Sequence, residues 1–573
     1  MTSHDLVIRG GTVVDGTGLL RRRADVAIDG DRITSVGQHV GSGSIEIDAT
    51  GLVVAPGLID VHTHYDPQLT FEPMATSSCY HGVTTVVCGN CGFSVAPLQR
   101  EDGDWLVQMF ARVEGMDPAA LHGIPFERYE SFADYLALLD NNLGVNAAFY
   151  VGHSTARRYV MGDDAQERPA TESEIEAMAT IVGDAVRAGA IGLSSSHAGT
   201  HLDLAGRPVP SRLASESELL ALVRRAAAEG ATSTGYLPRS VVSGGLDAAD
   251  ERLILEMAST GVPVIIQGLG ARSKVDAPTE GWAEAQRFVT EADQRAAPVY
   301  SMSMAKPYNR TFDLAAGTTL YEGVPAFHAM FAVPLADRME MLRNPEFRAA
   351  ARAGIAAPNQ DAAAGPVLLP PGWDRLFVER SEASPATIGR SLLDLGEGAG
   401  SDPLDVMFDT ALADDLTTTF VWRTESPEWI EGMRVALRDP HMLIGTSDGG
   451  AHLDRDDGAE ASSYFLAKWV REWGAFTLEE GIRRLTSVPA ALCGFRDRGA
   501  LLHGFAADVV IFDPDRIAPA EKQFTRDFPG GAGRWTSRPV GVAWTIVNGV
   551  PVVHDGQICD AGRRPGRVLR AYR

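Results

Sequence analysis

Cysteine is scarce in this chain. Five cysteines among 573 residues are an odd number, thinly spread. That excludes a disulfide framework as the organising device and favours a reducing, cytoplasmic setting. Long apolar runs are missing too, and nothing approaches the length needed to cross a bilayer. The start, Met1-Thr2-Ser3-His4-Asp5, has neither the basic nor the apolar region of a secretory signal. Positive charge is in deficit: 51 Lys and Arg face 75 Asp and Glu, a net charge of −24. This balance argues against nucleic acid and anionic membranes as partners and favours solubility. A small-molecule ligand fits better, and the composition is compatible with an oligomer of identical chains. What is present is ordinary globular composition, 45% hydrophobic and 22% charged, on a chain long enough for a large core.

The two ends read as strands and tight turns. Leu6-Val7-Ile8-Arg9, Thr12-Val13-Val14, Ala24 to Asp29 and Arg32 to Gly37 are separated by Gly-Gly, Asp-Gly and Gly breaks. Ala507 to Asp513 and Val542 to Val550 repeat the rhythm at the far end. A small all-β unit must find partners for its edge strands, and the two ends can supply them to each other. Residues 1–56 and 498–573 are therefore expected to form one composite β-sandwich.

Between them the period changes. Apolar, β-rich runs span Leu58 to Tyr65, Thr84 to Asn90, Asn146 to Ser154, Ala190 to Ser196, Ala231 to Tyr236, Val262 to Gly268, Val299 to Met304 and Met442 to Asp448. Helical patterns such as Glu174 to Ala188, Glu216 to Glu229 and Ala248 to Thr260 separate several of them. Alternating strand and helix with continuous apolar strands implies a parallel sheet, and eight repeats imply a (β/α)8 TIM barrel over 57–497. Residues of about 305–440, with turns such as Leu369-Pro370-Pro371-Gly372, read as a lid-like insertion.

Polar residues gather at the ends of these runs. The first ends His62-Thr63-His64, a spacing that puts two imidazoles on one face of a strand. At the C-terminal end of a barrel strand both would enter the mouth, where barrel enzymes do chemistry. Two converging imidazoles begin a transition-metal site. The second run ends Cys88-Gly89-Asn90-Cys91-Gly92, the third Gly152-His153, and the eighth Thr446-Ser447-Asp448-Gly449-Gly450-Ala451-His452.

These segments resemble the amidohydrolase superfamily, and within it the D-aminoacylase (N-acyl-D-amino-acid deacylase) group. Ala55-Pro56-Gly57-Leu58-Ile59-Asp60-Val61-His62-Thr63-His64 is similar to the superfamily's first-strand signature. Gly89-Asn90-Cys91-Gly92-Phe93-Ser94-Val95-Ala96-Pro97-Leu98 resembles the group's second-strand motif, whose cysteine is a metal ligand. Gly152-His153 with Arg157, Gly192-Leu193-Ser194-Ser195, and Gly504 to Asp513 also match. The resemblance spans essentially the whole length. It implies His62, His64, Cys91 and Asp448 as metal ligands, with Asp448 also the general base, and Zn²⁺ as the expected metal, other divalent ions being compatible. Read without the resemblance, Cys91 is a small buried hydrophobe, or half of a Cys88-x-x-Cys91 redox pair that strand-to-loop placement disfavours.

The chain departs from the group at one place. D-aminoacylases carry a histidine on the fifth strand and another on the sixth. Here the corresponding segments, Ala231 to Arg239 and Val264 to Gly268, contain none, and Tyr236 and Gln267 are poor zinc ligands. One metal per chain at His62, His64, Cys91 and Asp448 is therefore expected, or a weakened site, or none. His153 and Tyr236 are candidate catalytic groups, Tyr236 or His153 steadying an oxyanion. His197, His201 and His452 lie in loops facing the mouth and are candidates for substrate. Arg239 and Lys306 end the fifth and seventh strand regions and suit a substrate carboxylate. The expected activity is metal-dependent hydrolysis of a non-peptide C–N bond, in an N-acyl amino acid or related small amide, by metal-bound hydroxide with Asp448 as base. Two alternatives stay open. One is a different single-metal reaction, such as cyclic amide hydrolysis, deamination or decarboxylation. The other is a barrel that only binds ligands.

Overall fold

In the computed structural model the described residues are 3–570, apart from 241–244, 268–279, 308, 316, 322, 358–371 and 454–457. Gly268, the end of the sixth predicted run, and the Leu369-Pro370-Pro371 turn lie outside them.

Eight parallel strands follow one another around a single sheet: Leu58–Asp60 (β1), Val83–Cys88 (β2), Asn146–Gly152 (β3), Gly192–Ser196 (β4), Thr234–Leu237 (β5), Val264–Ile266 (β6), Val299–Ser303 (β7) and Met442–Ile444 (β8). All six residues of β2 and all seven of β3 are buried, as strands covered on both faces require. The sheet closes through two further short strands. His62–Thr63 continues β1, Thr446–Gly449 continues β8, and these pair in parallel with Thr446 opposite His62. The architecture is the expected TIM barrel. The predicted first and eighth runs are each broken once, at Val61 and Gly445, and the two breaks touch. A Cβ on Gly445 would come within 2.7 Å of Val61 Cγ2.

The intervening helices are set by local chemistry. Glu172–Ala188 starts at a capping box between Thr171 and Glu174, presents Met178, Val182, Ala185 and Val186 inward, and stops at Gly189, whose φ of 130° leaves the helical region. No helix of the described residues is long and apolar enough to cross a membrane.

The two chain ends share one nine-stranded sheet. Val53–Pro56 from the front and Val509–Phe512 from the back pair antiparallel, and Leu6, Ile8, Val26, Val54, Ile511 and Ile546 share its core. A buried polar knot fastens this sheet to the barrel. Asn146 at the start of β3 donates to Asp508, which also pairs with Arg498, and Asn548 donates to Asn146 Oδ1 at 2.8 Å. The segment expected to be lid-like contains a three-stranded antiparallel sheet, Arg310–Phe312, Thr419–Trp422 and Leu376–Arg380, with helices around a separate core that includes Tyr321, Phe327 and Phe408.

His81 fastens the barrel wall to a C-terminal segment: Nε2 donates to the Ser537 carbonyl at 3.0 Å and Nδ1 lies 2.8 Å from Ser463 Oγ. Burial pushes its pKa down to about 4, against the opposing pull of Glu460, so it folds neutral. The unfolded chain binds this proton near pH 6.5 and the folded chain only near 4, so stability drains as pH falls between those values. His81→Asn is expected to remove that dependence. Relative to the variant, the wild type should lose roughly 3 kcal/mol from pH 6.5 to 4, read as urea-unfolding free energy against pH. Parallel curves for the two proteins would show that His81 does not carry it.

Candidate metal centre

The centre is assembled where the barrel closes. His62 and His64 leave β1 on the same side, their rings edge to face at 5.2 Å. Cys91 enters from the turn after β2. One ligand atom from each of the three lies within 4.8 Å of the others, and the residues are 3%, 1% and 8% exposed. Asp448, the fourth expected ligand, places Oδ1 3.2 Å from His62 Nε2 and 3.9 Å from His64 Nε2, while Cys91 Sγ is 3.5 Å from His62 Nε2. Backbone strain concentrates here. Cys91, Asp448 and His452 hold positive φ values of 56°, 57° and 53° without being glycine. Such conformations persist where the surroundings impose them, and they cluster at functional sites.

The electrostatics call for a cation. Burial pushes His62 down to about 3 and His64 well below its ordinary value, so both are neutral and their contacts with Asp448 are not ion pairs. Burial pushes the Asp448 carboxyl up to about 6, although Lys306 and Arg310 pull the other way. Burial also drives the Cys91 thiol well up, with the Glu114 and Asp448 charges adding to it. Two neutral imidazoles, a thiol and a carboxyl thus stand together, and no member supplies positive charge. A divalent ion would reverse this by favouring the thiolate and carboxylate, and the N, S and O donors match what Zn²⁺ accepts. The residues fit the metal.

Glu114 was not foreseen from the sequence. It follows the helix Gly103–Val113, is 3% exposed, and places Oε1 3.3 Å from His64 Nδ1, neither atom having a hydrogen-bond partner. Its backbone carbonyl also accepts from His452 N. Burial, with the Asp448 and Asp66 charges beside it, drives the Glu114 carboxyl well up, so it stands behind the ring as a buried acid. Nothing in Val113-Glu114-Gly115 marks it, because only the fold brings it to His64.

The remaining expected site residues divide. His201 and His452 lie near enough to lower the proton affinity of His64. His153 does not join them. It is fully buried, with Nδ1 2.8 Å from Ser195 Oγ and Nε2 3.0 Å from Glu218 Oε1, so both ring nitrogens are engaged outside the centre. Tyr236 does not face the centre either. A Cβ on Gly235 would meet Gln267 Nε2 at 2.8 Å and Ser194 Cβ at 3.4 Å, so Gly235 is the inward position of β5. Alternation turns Tyr236 outward, where its hydroxyl is 2.9 Å from His197 Nδ1. His197 and the exposed Arg239 border a separate cavity of about 150 Å³ at the starts of the helices Glu216–Ala228 and Ala248–Ala258. Lys306 is 5% exposed and bonded to Glu460 at 2.8 Å, which Lys522 also meets at 3.0 Å. His153, Tyr236 and Lys306, expected at the chemistry or on a substrate carboxylate, thus have their polar atoms engaged with Ser195 and Glu218, with His197, and with Glu460.

Residues 46–553 match the family described as "Amidohydrolase family". The chain is 29% identical to a D-aminoacylase of Alcaligenes xylosoxydans xylosoxydans over 99% of its own length and 97% of that protein's. It is 27% identical to an N-acyl-D-glutamate deacylase of the same organism, over 99% and 96%. Among solved structures it is similar to the N-acyl-D-glutamate deacylase of Bordetella bronchiseptica complexed with zinc and a phosphonate mimic of the tetrahedral intermediate. There the TM-score is 0.66 at 26% identity, with both chains covered in full. A D-aminoacylase structure concerned with its binuclear metal centre, with one-metal activation and second-metal attenuation, gives 0.66 at 26%, over 99% of this chain and all of that one.

Proposed function

The chain belongs to the amidohydrolase family, and from that premise we propose that it removes the acyl group from N-acyl amino acids at a single-metal centre held by His62, His64, Cys91 and Asp448. It is a metal-dependent hydrolase of non-peptide C–N bonds. The observation that carries the site assignment is the convergence of the three buried ligand atoms within 4.8 Å beside Asp448. A bound divalent ion supplies Lewis acidity toward the amide carbonyl and makes water nucleophilic near neutral pH.

Asp448 takes the proton from the attacking water on a carboxylate oxygen and returns it to the leaving nitrogen. Glu114 stands behind the His64 ring, its Oε1 3.3 Å from Nδ1. His201 and His452, beside His64, are the groups assigned to the substrate amide. Of the two strand-end cations, Lys306 is committed to Glu460 and Arg239 borders the separate cavity beside His197, so neither is given the substrate carboxylate. The five cysteines are all unpaired, which supports a cytoplasmic setting.

The test is metal content followed by a substrate panel. The purified protein is expected to hold about one zinc per chain and to lose it together with activity in His62→Ala or on chelation, with roughly 10²-fold or greater loss of turnover. N-acyl-D- and N-acyl-L-amino acids are then assayed side by side. Inactivity across the whole panel with metal bound would turn the assignment toward cyclic amides. A metal-free protein indifferent to chelators would sink it.

A further inference from the structure

We propose that Gln267 is a positioning residue that clamps the Cys91 turn and commits the centre to a single metal, an inference that rests on the metal reading above. Gln267 follows β6, is 1% exposed, and stands on the inward face. Its carboxamide is used at both ends. Oε1 accepts from Cys91 N–H at 3.0 Å, and Nε2 donates to Asn90 Oδ1 at 2.6 Å. The backbone donor at Cys91 can be met only by the oxygen, so this orientation follows from the network. Asn90 in turn donates to the carbonyls of Thr63 at 3.3 Å and Val87 at 2.9 Å. Thr63 lies between the two ligand histidines. One line of amides therefore runs from β6 through the Cys91 turn to the strand that carries His62 and His64.

The clamp explains two otherwise unconnected features. Cys91 sits at φ 56°, a conformation that a non-glycine residue holds only with outside support. The support comes from Gln267 on Cys91 N–H and from Ser194, whose hydroxyl accepts from Gly92 N–H at 3.0 Å and donates to the Gly89 carbonyl. The inward position on β5 is glycine, and a Cβ there would strike Gln267 Nε2 at 2.8 Å. Gln267 and Gly235 are thus a fitted pair: the carboxamide fills the space that ligand side chains from β5 and β6 would need. With both its ends engaged, the carboxamide is not free to hold a second ion or to meet substrate.

The experiment titrates metal-free protein with cobalt(II) and follows two signals: the cobalt bound per chain and the thiolate-to-cobalt absorption that reports Cys91. The wild type is expected to take up one cobalt with the thiolate band present. Gln267→Met keeps the volume and removes both hydrogen bonds. It should bind cobalt about 10- to 100-fold more weakly and show a diminished band per bound ion. Gln267→Glu keeps the acceptor toward Cys91 N–H and should retain the band, and it decides the matter if the methionine variant fails to fold. Wild-type affinity and band in Gln267→Met would overturn the clamp while leaving the metal reading intact, as would equal loss of the band in both variants. Two tightly held cobalt ions in the wild type would overturn the single-metal commitment. No cobalt uptake by the wild type would overturn the metal reading itself.

Discussion

Asp448→Asn is expected to lower kcat/KM on an N-acyl amino acid by about 10²- to 10⁴-fold, equivalent to roughly 3–5 kcal/mol of transition-state stabilisation, while metal content stays near one per chain. The two readouts separate the two roles given to this side chain. Asparagine keeps an oxygen where Asp448 Oδ1 lies, 3.2 Å from His62 Nε2, so a purely ligating role survives in large part. What asparagine cannot do is accept a proton from water. The position tolerates little else. Asp448 holds φ 57°, and the turn after it is tied by Gly449 N–H to Ser447 Oγ at 2.8 Å, so a larger change would confound chemistry with backbone rearrangement. The pH profile supplies the third readout. A base works deprotonated, so wild-type turnover should rise with pH through the Asp448 titration, and that limb should vanish in the variant. Retention of turnover within tenfold would remove Asp448 from the proton path and leave it a ligand only.

The parts of this centre that could be read in the sequence share a property: local spacing determined them. His62 and His64 are two apart on a strand, and that alone aligns them. The barrel was legible because strands buried on both faces must be apolar throughout, as Val83–Cys88 is. Asp448 was legible because it ends such a strand, whereas Cys91, in the turn beyond Val83–Cys88, was read as a ligand only through the resemblance to the D-aminoacylase group. Where the reading failed, the deciding information was either a facing or a distant partner. Tyr236 and Gly235 are neighbours, and exchanging which of them faces inward reverses the role of the whole strand end. Lys306 looks like a substrate cation until Glu460 is placed against it from 154 residues away. Glu114 has no motif, and its value lies only in standing behind His64. Gln267 was visible as a poor ligand. That it replaces a ligand with a hydrogen-bonded clamp required knowing where Cys91 N–H points.

His153 is the sharpest case of a distant partner, and it yields the second large effect. Arg157→Ala is expected to destabilise the protein by about 3–5 kcal/mol, measured as unfolding free energy in urea, with kcat of the folded fraction unchanged. Arg157 is fully buried on the helix that His153 begins. Its Nη1 donates to both carboxylate oxygens of Glu218, at 2.8 and 2.6 Å, and Nη2 donates to the carbonyls of Ala165 and Arg168 at 3.3 and 2.7 Å. Burial alone would lift the Glu218 carboxyl, but hydrogen bonds from His153 and Arg157 hold it below the ordinary range. Without Arg157, a carboxylate with no exposed surface keeps only the His153 contact at 3.0 Å. Breaking one side of such a pair strands the other charge, which costs more than the intact pair contributed. Because the folded pKa is depressed, the stabilisation is present at neutral pH and lost as acid titrates Glu218. The destabilisation by Arg157→Ala should therefore shrink as pH falls below the unfolded carboxylate range, through the depressed Glu218 titration. A loss below about 1 kcal/mol would mean the pair is only surface-like in its energetics. A fall in kcat without a fall in stability would return the Gly152-His153 corner to the chemistry, since His153 is the only member of this knot that could pass an effect from Arg157 into the barrel through Ser195.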